Sequence, residues 1–193
     1  MKRVCVFCGS NTGNRESYTA AARRMGEVIA QSALELVYGA GQVGLMGVLA
    51  DTSLKNGGRV IGVIPEALVA RELAHRGVSD LRIVQSMHER KALMAELADG
   101  FIALPGGFGT FEEFCEILTW AQLGLHAKPC GILNVDGYYD ALLDLFDRGV
   151  AEGFIPAQHR NWVLLDTDPQ RLLDRMTQFV PPRVEKWISR RET

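Results

Sequence analysis

The stretch Phe101-Ile102-Ala103-Leu104-Pro105-Gly106-Gly107-Phe108-Gly109-Thr110 decides the fold class. Its first four residues are apolar without alternation, as expected of a strand covered by helices on both faces. Pro105 has no N–H to donate and closes the strand. Three glycines then lead into a helical pattern. The same sequence of apolar run, turn residues and helical pattern recurs along the chain. Strands are expected at 4–8, 34–38, 60–64, 82–84, 101–104, 130–134 and 162–165. Helices are expected at 17–32, 45–56, 87–98, 111–125, 138–152 and 169–179. This alternation predicts an α/β protein with an open parallel sheet of about seven strands and helices on both faces. Ligands of such sheets bind at the carboxyl ends of the strands, so the strand-to-helix loops are where function is sought.

The composition agrees with one soluble domain. The chain has 193 residues, 47% hydrophobic and 23% charged, with 21 Lys and Arg against 23 Asp and Glu. A net charge of −2 argues against a protein that wraps nucleic acid, which carries a strong basic excess. It leaves room for a small anionic ligand in a local pocket. The apolar run after Met1-Lys2-Arg3 stops at Gly9-Ser10-Asn11, too short for a signal peptide. No stretch approaches the roughly 20 apolar residues of a membrane span, so the expectation is a cytoplasmic protein with no membrane partner. Cys5-x-x-Cys8 has the spacing of a redox or zinc motif, yet residues three apart on a strand point to opposite faces. His75, His88, His126 and His159 are scattered, so no metal site is expected and the cysteines are read as packing residues.

Glycine is the compositional outlier, 20 residues in all, and nine of them fall in three loops at strand ends: Gly9, Gly13, Gly39, Gly41, Gly44, Gly47, Gly106, Gly107 and Gly109. Gly39-x-Gly41-x-x-Gly44 has the form of a dinucleotide fingerprint. However, it follows the second strand rather than the first, and the next strand ends in Ile64-Pro65 with Glu66 beyond the proline. A phosphate cradle and a simple tight turn both remain open there. The loop after the fifth strand is more specific. Gly106, Gly107 and Gly109 allow close approach of a ligand, Thr110 adds a hydroxyl, and the following helix directs free N–H groups at an anion. Thr110 and Glu113 also have capping-box spacing, which offers Glu113 a purely structural use. Ser86 and Glu89 form a second candidate box. Arg90 and Lys91 follow in the first turn, where the helix dipole disfavours cations. They are either exposed basic residues or face an anion or a carboxylate.

Met87-x-x-Arg90-Lys91 followed by Pro105-Gly106-Gly107-Phe108-Gly109-Thr110-Phe111-Glu112-Glu113 resembles the paired motif of the LONELY GUY family. Its members are cytokinin riboside 5′-monophosphate phosphoribohydrolases, once labelled lysine decarboxylases. The likeness extends to Phe7-Cys8-Gly9-Ser10, Tyr38-Gly39-Ala40-Gly41, Gly44-Leu45-Met46-Gly47, Thr119-Trp120-Ala121-Gln122-Leu123-Gly124 and Asn134-Val135-Asp136-Gly137-Tyr138-Tyr139. Ala40 departs from the family, where many members carry a third glycine.

The resemblance implies a Rossmann-like nucleotide-binding catalytic domain over 1–180, a tail over 181–193, and a homodimer. It implies hydrolysis of the N-glycosidic bond of N6-substituted adenosine 5′-monophosphates, and AMP as a further candidate, to free base and ribose 5-phosphate. The partner is then a small nucleoside 5′-monophosphate, no nucleic acid polymer, and no metal or redox cofactor is needed. The family's catalytic pair falls on Arg90 and Glu113. Its nucleotide contacts fall on Ser10, Glu72, Lys91, Gly106, Gly107, Phe108, Gly109, Thr110, Phe111, Glu112 and Thr119. Two other readings compete. A non-catalytic nucleotide or cofactor carrier would use the glycine loops without needing both Arg90 and Glu113. A pyridoxal enzyme would need a Schiff-base lysine, for which Lys91 is the one tempting choice. Trp120, Leu123 and Leu125 suit either a dimer face or ordinary core. Trp187 and Ile188 make the tail either a solvated end or a docking segment.

Overall fold

The computed structural model describes residues 1–69 and 74–182. Seven strands form one sheet: β1 (Arg3–Phe7), β2 (Glu35–Tyr38), β3 (Val60–Pro65), β4 (Asp80–Val84), β5 (Gly100–Ala103), β6 (Cys130–Leu133) and β7 (Val163–Asp166). Every pairing is parallel, and the order is β4-β3-β2-β1-β5-β6-β7. The eight helices of the described residues are α1 (Glu16–Gln31), α2 (Gly44–Lys55), α3 (Glu66–Val69), α4 (Met87–Leu97), α5 (Phe108–Gln122), α6 (Asp140–Ala151), α7 (Ala157–Arg160) and α8 (Pro169–Thr177).

Successive strand residues alternate between two cores, which explains the unbroken apolar runs. Val4, Val6 and Cys8 join Leu36, Tyr38 and Ile102 beneath α1, α2 and α8. Cys5 and Phe7 join Val37, Phe101 and Ala103 beneath α4, α5 and α6. Phe7 and Phe101, on neighbouring strands, stack at 6.2 Å. Cys5 and Cys8 therefore lie in different layers, as the strand geometry predicts, and both thiols are free. Burial pushes both well above the ordinary thiol range, so neither is a reactive thiolate.

The expected strands and long helices all form, with ends displaced by a few residues. Two differences bear on function. Helix α5 begins at Phe108 with Gly107 as its N-cap, three residues before the expected start, because glycines at 107 and 109 hide the helical pattern. The single-turn helices α3 and α7 escape notice because four residues are too few to show a periodicity. Ser86 does cap α4, accepting from the Glu89 N–H at 3.1 Å, while Glu89 accepts from the Gln85 N–H at 2.7 Å. Among the described residues no helix is long and apolar enough to cross a membrane. Glu72 and the tail residues 183–193, Trp187 and Ile188 among them, lie outside the described residues.

The order of the strands reverses between β1 and β5. Strands β2 to β4 extend to one side of β1 and β5 to β7 to the other. Loops at the carboxyl ends of β1 and β5 diverge from such a point and leave a crevice. Helices α1 and α2 close the layer behind it through Gly26, whose Cβ, if present, would meet the Leu49 carbonyl at 2.6 Å and the Ser53 nitrogen at 3.1 Å. Both obstacles are backbone and cannot rotate away. Gly26→Val is expected to cost about 1–3 kcal/mol by overpacking, read as a lower urea midpoint; an unchanged midpoint contradicts this packing.

Candidate active site

Arg90 sits on the fourth residue of α4, and its side chain turns inward until only 8% of the residue is exposed. The Arg90 Nη2 group donates to the Gly39 carbonyl at 3.4 Å, and Nη1 lies 3.6 Å from Met87 Sδ. Nη2 also lies 3.7 Å from Oε1 of Glu113, whose side chain is 12% exposed. The Arg90 Nε–H is buried without a partner. Gly39, at the carboxyl end of β2, makes room for this seat, because any Cβ there would collide with the guanidinium. Nothing in the sequence pattern links Gly39 to Arg90, 51 residues away; only the fold brings them together.

The capping-box reading of Glu113 fails on this geometry. Since α5 starts at Phe108, Thr110 lies inside the first turn rather than at its cap, and no side chain caps the helix. Glu113 turns to Arg90 instead. Burial pushes its carboxyl above the ordinary range, and the neighbouring Arg90 charge only partly offsets this. An ion pair built for stability is bidentate at about 2.7–2.9 Å. The longer Arg90–Glu113 contact, with a spare guanidinium donor, is instead poised for a third group.

Lys91, one position on, points along the outer side of the two helices. It donates to Glu112 and, at 3.0 Å, to Glu116. Burial pulls its ammonium down, but the two carboxylates outweigh this and hold its pKa above the ordinary value. A Schiff-base lysine must shed its proton, so this environment opposes that use.

The uncapped start of α5 lies beside a cavity of about 280 Å³ that Gly9, Ser10, Gly106, Gly107 and Tyr138 help to line. The two loops are joined where the Gly9 N–H donates to the Pro105 carbonyl at 3.0 Å. Ser10, Gly106 and Gly107 are thus brought together, with Gly109 and Thr110 in the adjoining turn. Phe108 is 92% exposed at the tip. Phe111 packs at 6.4 Å on Tyr138 and 6.1 Å on Tyr139, and Glu112 is engaged by Lys91. Thr119 is not brought to this cavity. It lies nine residues beyond Thr110, about 13 Å along the helix, and its hydroxyl donates to the Cys115 carbonyl at 2.8 Å. Trp120, Leu123 and Leu125 are half-buried; Trp120 and Leu125 line a separate groove with Ala92, Ala95 and Glu96. The fingerprint loop packs as a turn, Gly41 bridging to Ala74. Ala40 within it has φ 56°, the left-handed region where a glycine would be unstrained, so the departure from the family falls at a position that strains alanine. Among the described residues no three His, Cys, Asp or Glu side chains are grouped to hold a metal ion.

A family profile described as "possible lysine decarboxylase" matches residues 46–176. A "probable cytokinin riboside 5′-monophosphate phosphoribohydrolase LOGL1" of Oryza sativa subsp. japonica is 54% identical over 177 residues, spanning 92% of this chain and 79% of its own. The chain belongs to the LONELY GUY family. A second LONELY GUY relative, the "cytokinin riboside 5′-monophosphate phosphoribohydrolase LOG1" of Arabidopsis thaliana, is 46% identical over 190 residues, 98% of this chain and 89% of its own. Among solved structures, the molybdenum cofactor binding protein of Rippkaea orientalis superposes with a TM-score of 0.70 at 20% identity, covering 92% of this chain and 97% of that one. At that identity the likeness is one of fold.

The electrostatics of this LONELY GUY site can be measured without a substrate. Carbon-13 NMR is expected to place the Glu113 carboxyl midpoint above about 4.3, the ordinary glutamate value. Arg90→Ala is expected to raise it further, because burial then acts without the cation that lowers it. A midpoint at or below the ordinary value contradicts the described burial.

Proposed function

We propose that the chain hydrolyses the N-glycosidic bond of N6-substituted adenosine 5′-monophosphates, the cytokinin ribotides, and of AMP, giving free base and ribose 5-phosphate. The observation that carries this reading is the buried Arg90–Glu113 contact, assembled from two helices beside an uncapped helix terminus. The activity printed in the names of its relatives supports the same reading.

The chemistry follows from what the two groups can do. Breaking the bond from C1′ to the base nitrogen leaves the electron pair on the base and positive charge on the sugar, as in glycoside hydrolysis. A carboxylate beside C1′ stabilises that charge, most strongly in a site that excludes water. Glu113 takes this role and accepts a proton from the attacking water as its oxygen bonds to C1′. The guanidinium of Arg90 anchors that carboxylate through Nη2 and so sets its position against C1′. Arginine's high pKa means it does not supply the proton that the departing base nitrogen takes up; that proton comes from solvent, to which Glu113 returns the one it accepted from water. The phosphate lies on the first turn of α5 with Ser10 and the glycine loop around it, and so fixes C1′ between the pair. Lys91 and Glu112 lock α4 to α5 at the rim of the site.

A homodimer belongs to this reading, and in it Thr119, which lies away from the cavity of its own chain, serves the site of the second copy. A monomer in sedimentation equilibrium would overturn that part. The activity itself is tested by incubation with AMP and with N6-isopentenyl AMP. Free base and ribose 5-phosphate are the expected products; inorganic phosphate with intact nucleoside, or no turnover, overturns the reading. Arg90→Ala and Glu113→Ala are each expected to lower kcat by about 100- to 1000-fold, the scale of losing an electrostatic transition-state contact. Gly39→Ala is expected to lower kcat/KM by about 100-fold, because displacing a reacting group by about 1 Å costs that much. Full activity in Glu113→Ala would return that residue to a structural role.

A further inference from the structure

Two adjacent tyrosines just before α6 reach across to the glycine loop that follows β5. Tyr139 donates from its hydroxyl to the Leu104 carbonyl at 2.7 Å, and Tyr138 donates to the Gly106 carbonyl. The two hydroxyls hold peptides of different kinds. The Leu104 carbonyl shares its peptide with the nitrogen of Pro105, which carries no proton. The Gly106 carbonyl shares its peptide with the Gly107 N–H, at the N-cap of α5. That peptide is planar and trans, so its carbonyl and its N–H point in opposite directions. A hydroxyl that grips the oxygen therefore sets where the N–H is aimed.

The Tyr138 ring is itself held firmly. It meets Tyr18 edge-on at 5.6 Å and Tyr139 at 5.0 Å, and its backbone N–H donates to the Val135 carbonyl at 3.0 Å. The turn before it is pinned at Asp136, which accepts from Ser17 Oγ at 2.6 Å and pairs with Arg15 at 3.7 Å. Yet Tyr138 is 37% exposed and lines the same cavity as Ser10 and Gly107. The bond lies at an exposed position, so it adds little net stability. What it adds is direction.

We infer that Tyr138 is a positioning residue, whose hydroxyl orients the Gly106–Gly107 peptide so that the Gly107 N–H meets the phosphate of the ligand. This deepens the ribotide reading and rests on its placement of the phosphate at α5. Tyr139, holding a peptide with no N–H to aim, serves the packing of the loop.

The test compares Tyr138→Phe with Tyr139→Phe by isothermal titration with ribose 5-phosphate and with inorganic phosphate. Tyr138→Phe keeps the ring and is expected to melt within a few degrees of the native protein. It is expected to bind both ligands about three- to tenfold more weakly, the scale of one neutral hydrogen bond. Tyr139→Phe is expected to lower the melting temperature and to leave both affinities within about twofold. Native affinity in Tyr138→Phe, an equal loss in Tyr139→Phe, or no binding of ribose 5-phosphate by the native protein would each overturn the inference. Failure of the native protein to release base from ribotides would overturn the hydrolase reading alone, because the titration reads the loop directly.

Discussion

Strand β1 is paired in parallel on both sides, to β2 through Arg3 to Cys5 and to β5 through Val4 to Phe7. This pairing places the ends of three strands beside one another, and the functional end of the molecule depends on it. The Gly9 N–H donates to Pro105 at 3.0 Å, and the Gly9 carbonyl accepts from the Met46 N–H at 3.3 Å. Gly9, two residues beyond β1, thus ties the loop after β5 to the start of α2. Because the sheet order reverses at this point, helices α4 and α5 lie on the same face with their amino ends close together. The crevice and its two helix termini are consequences of a single strand order.

The charges of α4 and α5 are sorted by helix geometry. Neighbouring residues on a helix point about 100° apart, so Arg90 and Lys91 leave α4 in different directions, as Glu112 and Glu113 leave α5. The outer set, Lys91 with Glu112 and Glu116, is closely paired and joins the helices. The inner set, Arg90 with Glu113, is buried and loosely paired. Burying charges that are imperfectly matched costs stability, and the tight outer pairs together with the apolar layer of Met94, Phe114 and Ile117 offset that cost. A site whose guanidinium and carboxylate were already satisfied by each other would have nothing left for a substrate.

Much of this was legible in the residues. Continuous apolar strands between helical patterns signal a parallel sheet, and glycines gathered at strand ends mark where the ligand lies. Arg90 and Glu113 stand out by type and motif. Their use does not, because Thr110 and Glu113 have the spacing of a cap, and only the early start of α5 removes that alternative. Lys91 reads as a ligand contact in sequence and is found holding two carboxylates. Gly39 reads as a turn residue and is the seat of Arg90. Thr119 falls on one of the family's nucleotide contacts but lies away from the cavity. In each case the deciding fact is the direction of a side chain, which depends on where an element begins and on what packs against it.

The sequence by itself determined the class of fold, the approximate elements and the loops that carry chemistry. These are local properties, written in periodicity and in the backbone demands of glycine and proline. Only the tertiary structure decided which groups meet: Arg90 with Gly39 and Glu113, Lys91 with Glu112, Tyr138 with Gly106. Those contacts join residues 21 to 51 positions apart, and no local pattern encodes them, because they are created by strand order and by the burial of two opposite faces of one sheet.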